Sequence, residues 1–333
     1  INNHIAKTIP ENNTYRIDHY LGKELVSDIV LLRFTNRILE PLWNHKHIES
    51  IQIIMNENIG VENRISFYDQ YGCLRDVVQN HALQLLSLIT METPKKITAK
   101  HVRDCKVSAL KKVRYHDGIL GRYQGYSTEK GVAKYSTTET FAALKLEVRN
   151  SLFKGVPIYI KAGKHLTSKE TIINIIFKQA QCILTHDCPT GHNTFTIRIE
   201  PNAGYTLELY SKQPDHKDLV RPISFDFCRS CEFGPNTPLA YTTLLKDSIL
   251  GDKVGFVRRD EIEQAWKIID NIKKNLAASE GRRAKGEGYG EESEGRKTKG
   301  AEQIHSYKKG SSGPQAFHDW STKHHLHWRY YKK

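Results

Sequence analysis

A change in hydrophobic period constrains this chain more than any other feature. From Thr140 onward Ala142, Leu144, Leu146 and Val148 alternate with Lys145 and Glu147, which predicts a strand with one buried face and one wet face. Further strand-like runs follow at 156–162, 171–177, 194–200, 205–210 and 223–227, mostly joined by polar turns. An earlier β-branched run over 48–56 carries Ile48, Ile51, Ile53 and Ile54. Helical patterns lie before and after these strands. Leu25 to Leu42 repeats its apolar residues at three and four, with Pro41 as the stop, and a second helix is predicted from Leu74 to Met91 after the turn at Gly72. Shorter helices are expected over Lys100–Leu110, Pro238–Ile249 and Phe256–Ile272, while the rest of 93–140 reads as connection. This grouping predicts an α+β fold, a large mostly antiparallel sheet with helices packed on one face, rather than a doubly wound one.

A chain of 333 residues with 38% hydrophobic side chains can bury a real core. Residues 1–278 read as the folded body. Residues 279–303, rich in Gly, Glu, Arg, Lys and Ser, read as a flexible low-complexity linker, and 304–333 as a basic segment that packs back. The net charge of +13 suggests nucleic acid only superficially, because 296–333 alone holds nine Lys/Arg against two Asp/Glu. A nucleic-acid partner is therefore not expected, although Trp328-Arg329-Tyr330-Tyr331 is the stretch that could serve one. No apolar run is long enough to span a bilayer and no leader pattern opens the chain, so a soluble, cytoplasmic protein is expected. The start at Ile1 rather than Met suits a piece of a longer protein. Six cysteines are too sparse for a disulfide scaffold and should be mostly reduced. Cys182, His186 and Cys188 with Cys228 and Cys231 make only an irregular zinc pattern, and no metal is expected.

The chemistry concentrates at Arg16-Ile17-Asp18-His19-Tyr20-Leu21-Gly22-Lys23-Glu24. If Gly22 does not break the turn, His19 and Lys23 share a helical face with Tyr20 beside them; an ammonium, an imidazole and a phenol so placed suit a phosphate monoester. Singly, each is more often a solvated helix residue. Asp18 points elsewhere, as suits a carboxylate that orients a second histidine. That histidine is predicted in Arg75-Asp76-Val77-Val78-Gln79-Asn80-His81; on periodicity alone His81 would be a core residue and Asp76 a helix-dipole partner.

The run RIDHYLGKE resembles the signature of the glucose-6-phosphate dehydrogenase family, and RDVVQNH resembles that family's RDxxQNH. GVPIYIKAGKHLTSK, 155–169, is similar to a further family pattern, as are Gly310 to Pro314 and Trp328-Arg329. The resemblance implies His81 as catalytic base and Asp18 as its orienting acid. It implies His19, Tyr20 and Lys23 on the sugar's phosphate, with Glu57, Asp76, Lys164 and Lys169 also binding substrate. The implied activity is oxidation of the C1 hydroxyl of glucose 6-phosphate with NADP, the first step of the oxidative pentose phosphate pathway. A sugar-phosphate-binding subunit without turnover is the alternative.

The family's coenzyme domain precedes its RIDHYLGKE. No G-x-G-x-x-G occurs here, so most of the NADP site is expected on a segment upstream or in trans. A homodimer is expected from the broad sheet. Two departures stand out: Lys161 where the family generally has Arg, and Glu200 where it usually has Gln. A second acid near a dianion should weaken binding, and the sequence names no residue that compensates it.

Overall fold

The computed structural model describes residues 1–180, 191–214, 216, 219–235, 238–286 and 304–331. Its helices are α1 Asn2–Thr8, α2 Glu24–Thr35, α3 Ile65–Cys73, α4 Leu83–Thr90, α5 Ala99–Lys111, α6 Arg229–Phe233, α7 Ala240–Leu250, α8 Arg259–Gly286 and α9 Gln315–Lys323. A π-helix, Leu74–Ala82, joins α3 to α4. The strands are β1 Ile48–Asn56, β2 Val113–Tyr123, β3 Phe141–Val148, β4 Pro157–Gly163, β5 Glu170–Phe177, β6 Thr194–Glu200, β7 Gly204–Lys212, β8 Val220–Cys228 and β9 Ile304–Tyr307.

All nine strands form one sheet in the order β8-β7-β6-β5-β1-β4-β3-β2-β9. The β1–β4 and β2–β9 pairs are parallel and the remaining pairs antiparallel, as expected for a mostly antiparallel α+β sheet. The Ile-rich β1 lies at the centre, and β5 beside it is buried along its whole length. Strands covered on both faces read as continuous apolar runs for this reason.

One face carries the main helical layer. Val26 and Ile29 of α2, Val77 and Val78 of the π-helix, Leu85 and Leu86 of α4, and Ile269 of α8 join Ile53, Leu144 and Ile160 of the sheet in one core. The other face is covered at the β2–β4 end by Phe317 and Trp320 of α9, packed with Phe141, Ala143 and Tyr159. That layer explains why β3 lacks the wet face its alternation predicts. Glu147 is buried, and Lys145 lies half-buried near His324 at 3.3 Å.

Several expectations need correction. The first long helix stops at Thr35 instead of continuing to Leu42, and Pro41 falls in a separate 3₁₀ turn, Glu40–Leu42. The strand β2, 113–123, lies within the stretch read as connection; His116, Asp117 and Gly118 interrupt its alternation where its register with β3 slips. Helix α8 continues to Gly286, into the stretch expected as linker, and 287–303 lies outside the described residues. Segment 304–331 adds β9 and α9 to the body, and Arg329 pairs with Glu208 at 2.7 Å. Among the described residues no helix is long and apolar enough to cross a membrane.

Helices α5 and α8 are locked by an ion pair that is almost fully buried, Lys106 to Glu261 at 2.7 Å. Glu261 also accepts the Arg258 backbone N–H at 3.0 Å, closing the start of α8 as an N3 glutamate does. Removing one partner strands a charge in the core. Lys106→Met should cost about 3–5 kcal/mol in urea unfolding, and adding Glu261→Gln should recover most of it; a loss that grows in the double variant would mean the charges do not depend on one another.

Candidate active site

Asp18 caps a short 3₁₀ turn, His19–Gly22, by accepting the Tyr20 backbone N–H on Oδ1 at 3.0 Å. The turn does not continue into α2. Lys23 is extended, at φ −75° and ψ 128°, so the i, i+4 face predicted for His19 and Lys23 does not form. Both side chains still reach one cavity. Gly22 is demanded by the approach of α7: a Cβ there would lie 2.4 Å from the Ala240 carbonyl oxygen and 2.7 Å from the Leu244 side chain.

The second segment arrives through Gly72, which breaks α3 at φ 70°. Glu139, buried beneath it, accepts the Leu74 N–H at 2.9 Å and holds the start of the π-helix. This winding differs from the α-helix predicted over Leu74–Met91, and it alters the relation of Asp76 to His81. Residues five apart stand about 140° off register in an α-helix, whereas the wider winding of an i→i+5 ladder brings them closer together round the axis. Both line the same cavity.

The two segments meet at a hydrogen bond from His81 Nδ1 to Asp18 Oδ1, 2.6 Å long, with the carboxyl buried. Donation from Nδ1 fixes the tautomer and leaves Nε2 as a lone-pair acceptor. The imidazole packs against the rings of Tyr20, at 4.4 Å, and His19, at 4.6 Å. Asp18, His19 and His81 are also the one group among the described residues close enough to hold a metal ion, and the hydrogen bond already accounts for two of them.

The cavity is about 660 Å³ in volume. Of the predicted residues, Asp18, His19, Tyr20, Lys23, Glu57, Asp76, His81 and Lys169 line it. Lys164 does not: its buried ammonium stands behind the wall and donates to Glu57 Oε2 at 2.8 Å. Lys161 is also away from the cavity, under Tyr330, whose hydroxyl lies 2.9 Å from its Nζ, and burial lowers its pKa to about 7. Glu200 does line the cavity, and it has the compensating residues the sequence did not name. Its Oε1 pairs with Lys23, and its Oε2 lies 3.9 Å from Lys169.

Arg64, Asn80, Thr171 and Tyr241 were not predicted and complete the polar wall. Arg64 pairs with Asp76 at 2.8 Å, and Thr171 Oγ1 lies 3.2 Å from the Tyr20 hydroxyl. Asn80 lies within the quoted RDVVQNH beside His81, whereas no local pattern marks Arg64, Thr171 or Tyr241, because each reaches the cavity from a separate element. Cys228 and Cys231 form a disulfide, an exception to the expectation of mostly reduced thiols, while Cys73 and Cys105 are free and Cys182, His186 and Cys188 lie outside the described residues.

Burial is the main cause that lowers the His19 pKa from its ordinary 6.5; His81 and Lys23 add to the effect, and Asp18 and Glu200 oppose it. The folded state therefore prefers neutral His19. Below about pH 6.5 the unfolded chain takes up the proton first, so stability falls with pH through that window down to the folded value. His19→Gln should flatten this part of the stability profile, measured as denaturant midpoints across the mildly acidic range; an unchanged slope would assign it to other groups.

Residues 30–329 match the family model described as glucose-6-phosphate dehydrogenase, C-terminal domain, and residues 1–28 match the one described as its NAD binding domain. Glucose-6-phosphate 1-dehydrogenase of Bacillus subtilis (strain 168) is 36% identical over 98% of this chain and 67% of its own length. The protein of that name from Chlamydia muridarum is 40% identical over 80% of this chain and 56% of its own. The cytoplasmic glucose-6-phosphate 1-dehydrogenase 6 of Arabidopsis thaliana is 39% identical over 81% and 53%. Among solved structures, a glucose-6-phosphate dehydrogenase in complex with its substrate glucose-6-phosphate superposes with a TM-score of 0.84 at 31% identity, covering 98% of this chain and 66% of the other. The Mycobacterium avium enzyme gives a TM-score of 0.80 at 31% identity, covering 100% and 67%. This chain thus spans about half to two thirds of the length of these relatives, and it belongs to the glucose-6-phosphate dehydrogenase family.

Proposed function

We propose that this chain is the catalytic and sugar-phosphate-binding part of a glucose-6-phosphate dehydrogenase. In this reading His81 Nε2 is the base that takes the proton of the C1 hydroxyl, and the hydride that must leave C1 for the lactone carbonyl to form would go to a nicotinamide acceptor that these residues do not hold. Asp18, held on Nδ1, orients the ring and stabilises the imidazolium. The single observation that carries the reading is the 2.6 Å bond between two segments 63 residues apart, formed at the wall of a polar cavity.

Lys23, His19 and Tyr20 are assigned to the phosphate, with Lys169 at the rim. The Lys169 side chain is 64% exposed, at the solvent edge of the site. Glu57 and Asp76 are assigned to sugar hydroxyls, since carboxylates in the wall accept from them. Lys164 acts through Glu57 rather than on the ligand.

The electron acceptor implied by the family is NADP. Among the described residues no glycine lines the cavity, so none of them offers the close backbone approach of a pyrophosphate cradle, and the dinucleotide does not fit these residues. The match of residues 1–28 to the NAD binding domain supports a coenzyme site formed with that domain, in the same polypeptide or in trans. Residues 1–278 are taken as the catalytic domain, and 304–333 as a segment closing it, supported by β9 and α9. A cytoplasmic location follows the Arabidopsis relative's name, and a homodimer is supported by the outer strand β8, where Phe225 is 58% exposed.

Two measurements test the reading. Glucose 6-phosphate should bind the chain in calorimetry, and Lys23→Ala should weaken that binding. In protein that reduces NADP, His81→Asn should lower turnover by ~10²-fold or more while binding persists. Binding without turnover even with a coenzyme domain supplied would instead identify a sugar-phosphate-binding subunit.

A further inference from the structure

Three cations line the cavity, and each is already paired. Arg64 is held by Asp76 at 2.8 Å, while Lys23 and Lys169 share Glu200, the latter at 3.9 Å. Glu200 projects from the end of β6, which neighbours β5 in the sheet, so its carboxylate reaches the site from across the strand that carries Thr171. It lies among the groups assigned to the phosphate: it pairs with Lys23, and its charge acts on both His19 and Tyr20. The side chain is 35% exposed and therefore has room to move.

A carboxylate shared by two ammonium groups occupies the electrostatic position that a phosphate would take. A dianionic ligand cannot add its charge beside that carboxylate without repulsion, and it cannot reach both lysines while they are paired. We propose that Glu200 is a resident counter-anion which an incoming sugar phosphate must displace, and that it sets how strongly the cavity discriminates phosphorylated from neutral sugars. This rests on the sugar-phosphate reading above. Binding is then an exchange of anions on Lys23 and Lys169 rather than a simple addition, and the affinity gained is the difference between the two pairings. A neutral sugar makes no such exchange.

The isosteric variant Glu200→Gln removes the charge and keeps the size. Calorimetry on the full chain should show glucose 6-phosphate and inorganic phosphate each binding about tenfold more tightly to Glu200→Gln than to the native protein. The affinity for glucose itself should be unchanged. Glu200→Asp, which keeps the charge on a shorter stem, should bind both anions as weakly as the native chain. Equal affinity of native and Glu200→Gln for glucose 6-phosphate would overturn the proposal, and so would weaker binding to Glu200→Gln, which would make Glu200 a support for Lys23. An equal gain in Glu200→Asp would assign the effect to shape and overturn it too. Failure of every variant, native included, to bind glucose 6-phosphate while inorganic phosphate still binds more tightly to Glu200→Gln would refute the sugar-phosphate reading and leave the anion exchange standing.

Discussion

The hydrogen bond between Asp18 and His81 is the constraint on which the site depends, because the two residues have no local reason to meet. Asp18 is held by the 3₁₀ turn it caps, and that turn is pinned by α7 against a position where only glycine fits. His81 is held by a π-helix whose first turn is capped by buried Glu139 and whose apolar side packs on the central sheet. A buried carboxylate would be costly alone. Paired with an imidazole and a backbone N–H, it becomes a fixed element of the cavity wall.

The π-helix links packing to chemistry. An α-helical Leu74–Ala82 would turn Asp76 well away from His81, whereas the wider winding sets both toward one space. Short π segments recur at functional positions, and here the reason is visible: it puts two side chains five residues apart on one wall. Gly72 permits the break that precedes it, and a Cβ at that position would run into the Glu139 carboxylate at 2.5 Å.

Charge within the cavity is arranged in pairs rather than as a positive funnel. Acidic side chains face each lining cation, so the modest basic excess of the body does not reach the cavity as a free positive field. Discrimination among ligands then depends on which anion each cation prefers, a local property, more than on the net charge of the chain.

Much was legible from residues alone. The alternation from Ala142 and the isoleucines of 48–56 determined strands and a mostly antiparallel sheet, since period and branching act locally. The ordered runs around Asp18 and His81 determined the family and about half of the lining residues. What neighbours in sequence cannot encode was decided by tertiary structure. Helix α9 turned the wet face of β3 into core, and the break at Gly72 replaced an α-helix by a π-helix. Lys164 was set behind Glu57 instead of in the cavity wall, and Arg64 and Tyr241 were brought in from separate elements. Glu200 shows the division most clearly. Its identity could be read as an unexplained acid, but only the adjacency of β6 to β5 and to the turn before α2 shows that two lysines balance it, because charge compensation acts through space and not along the chain.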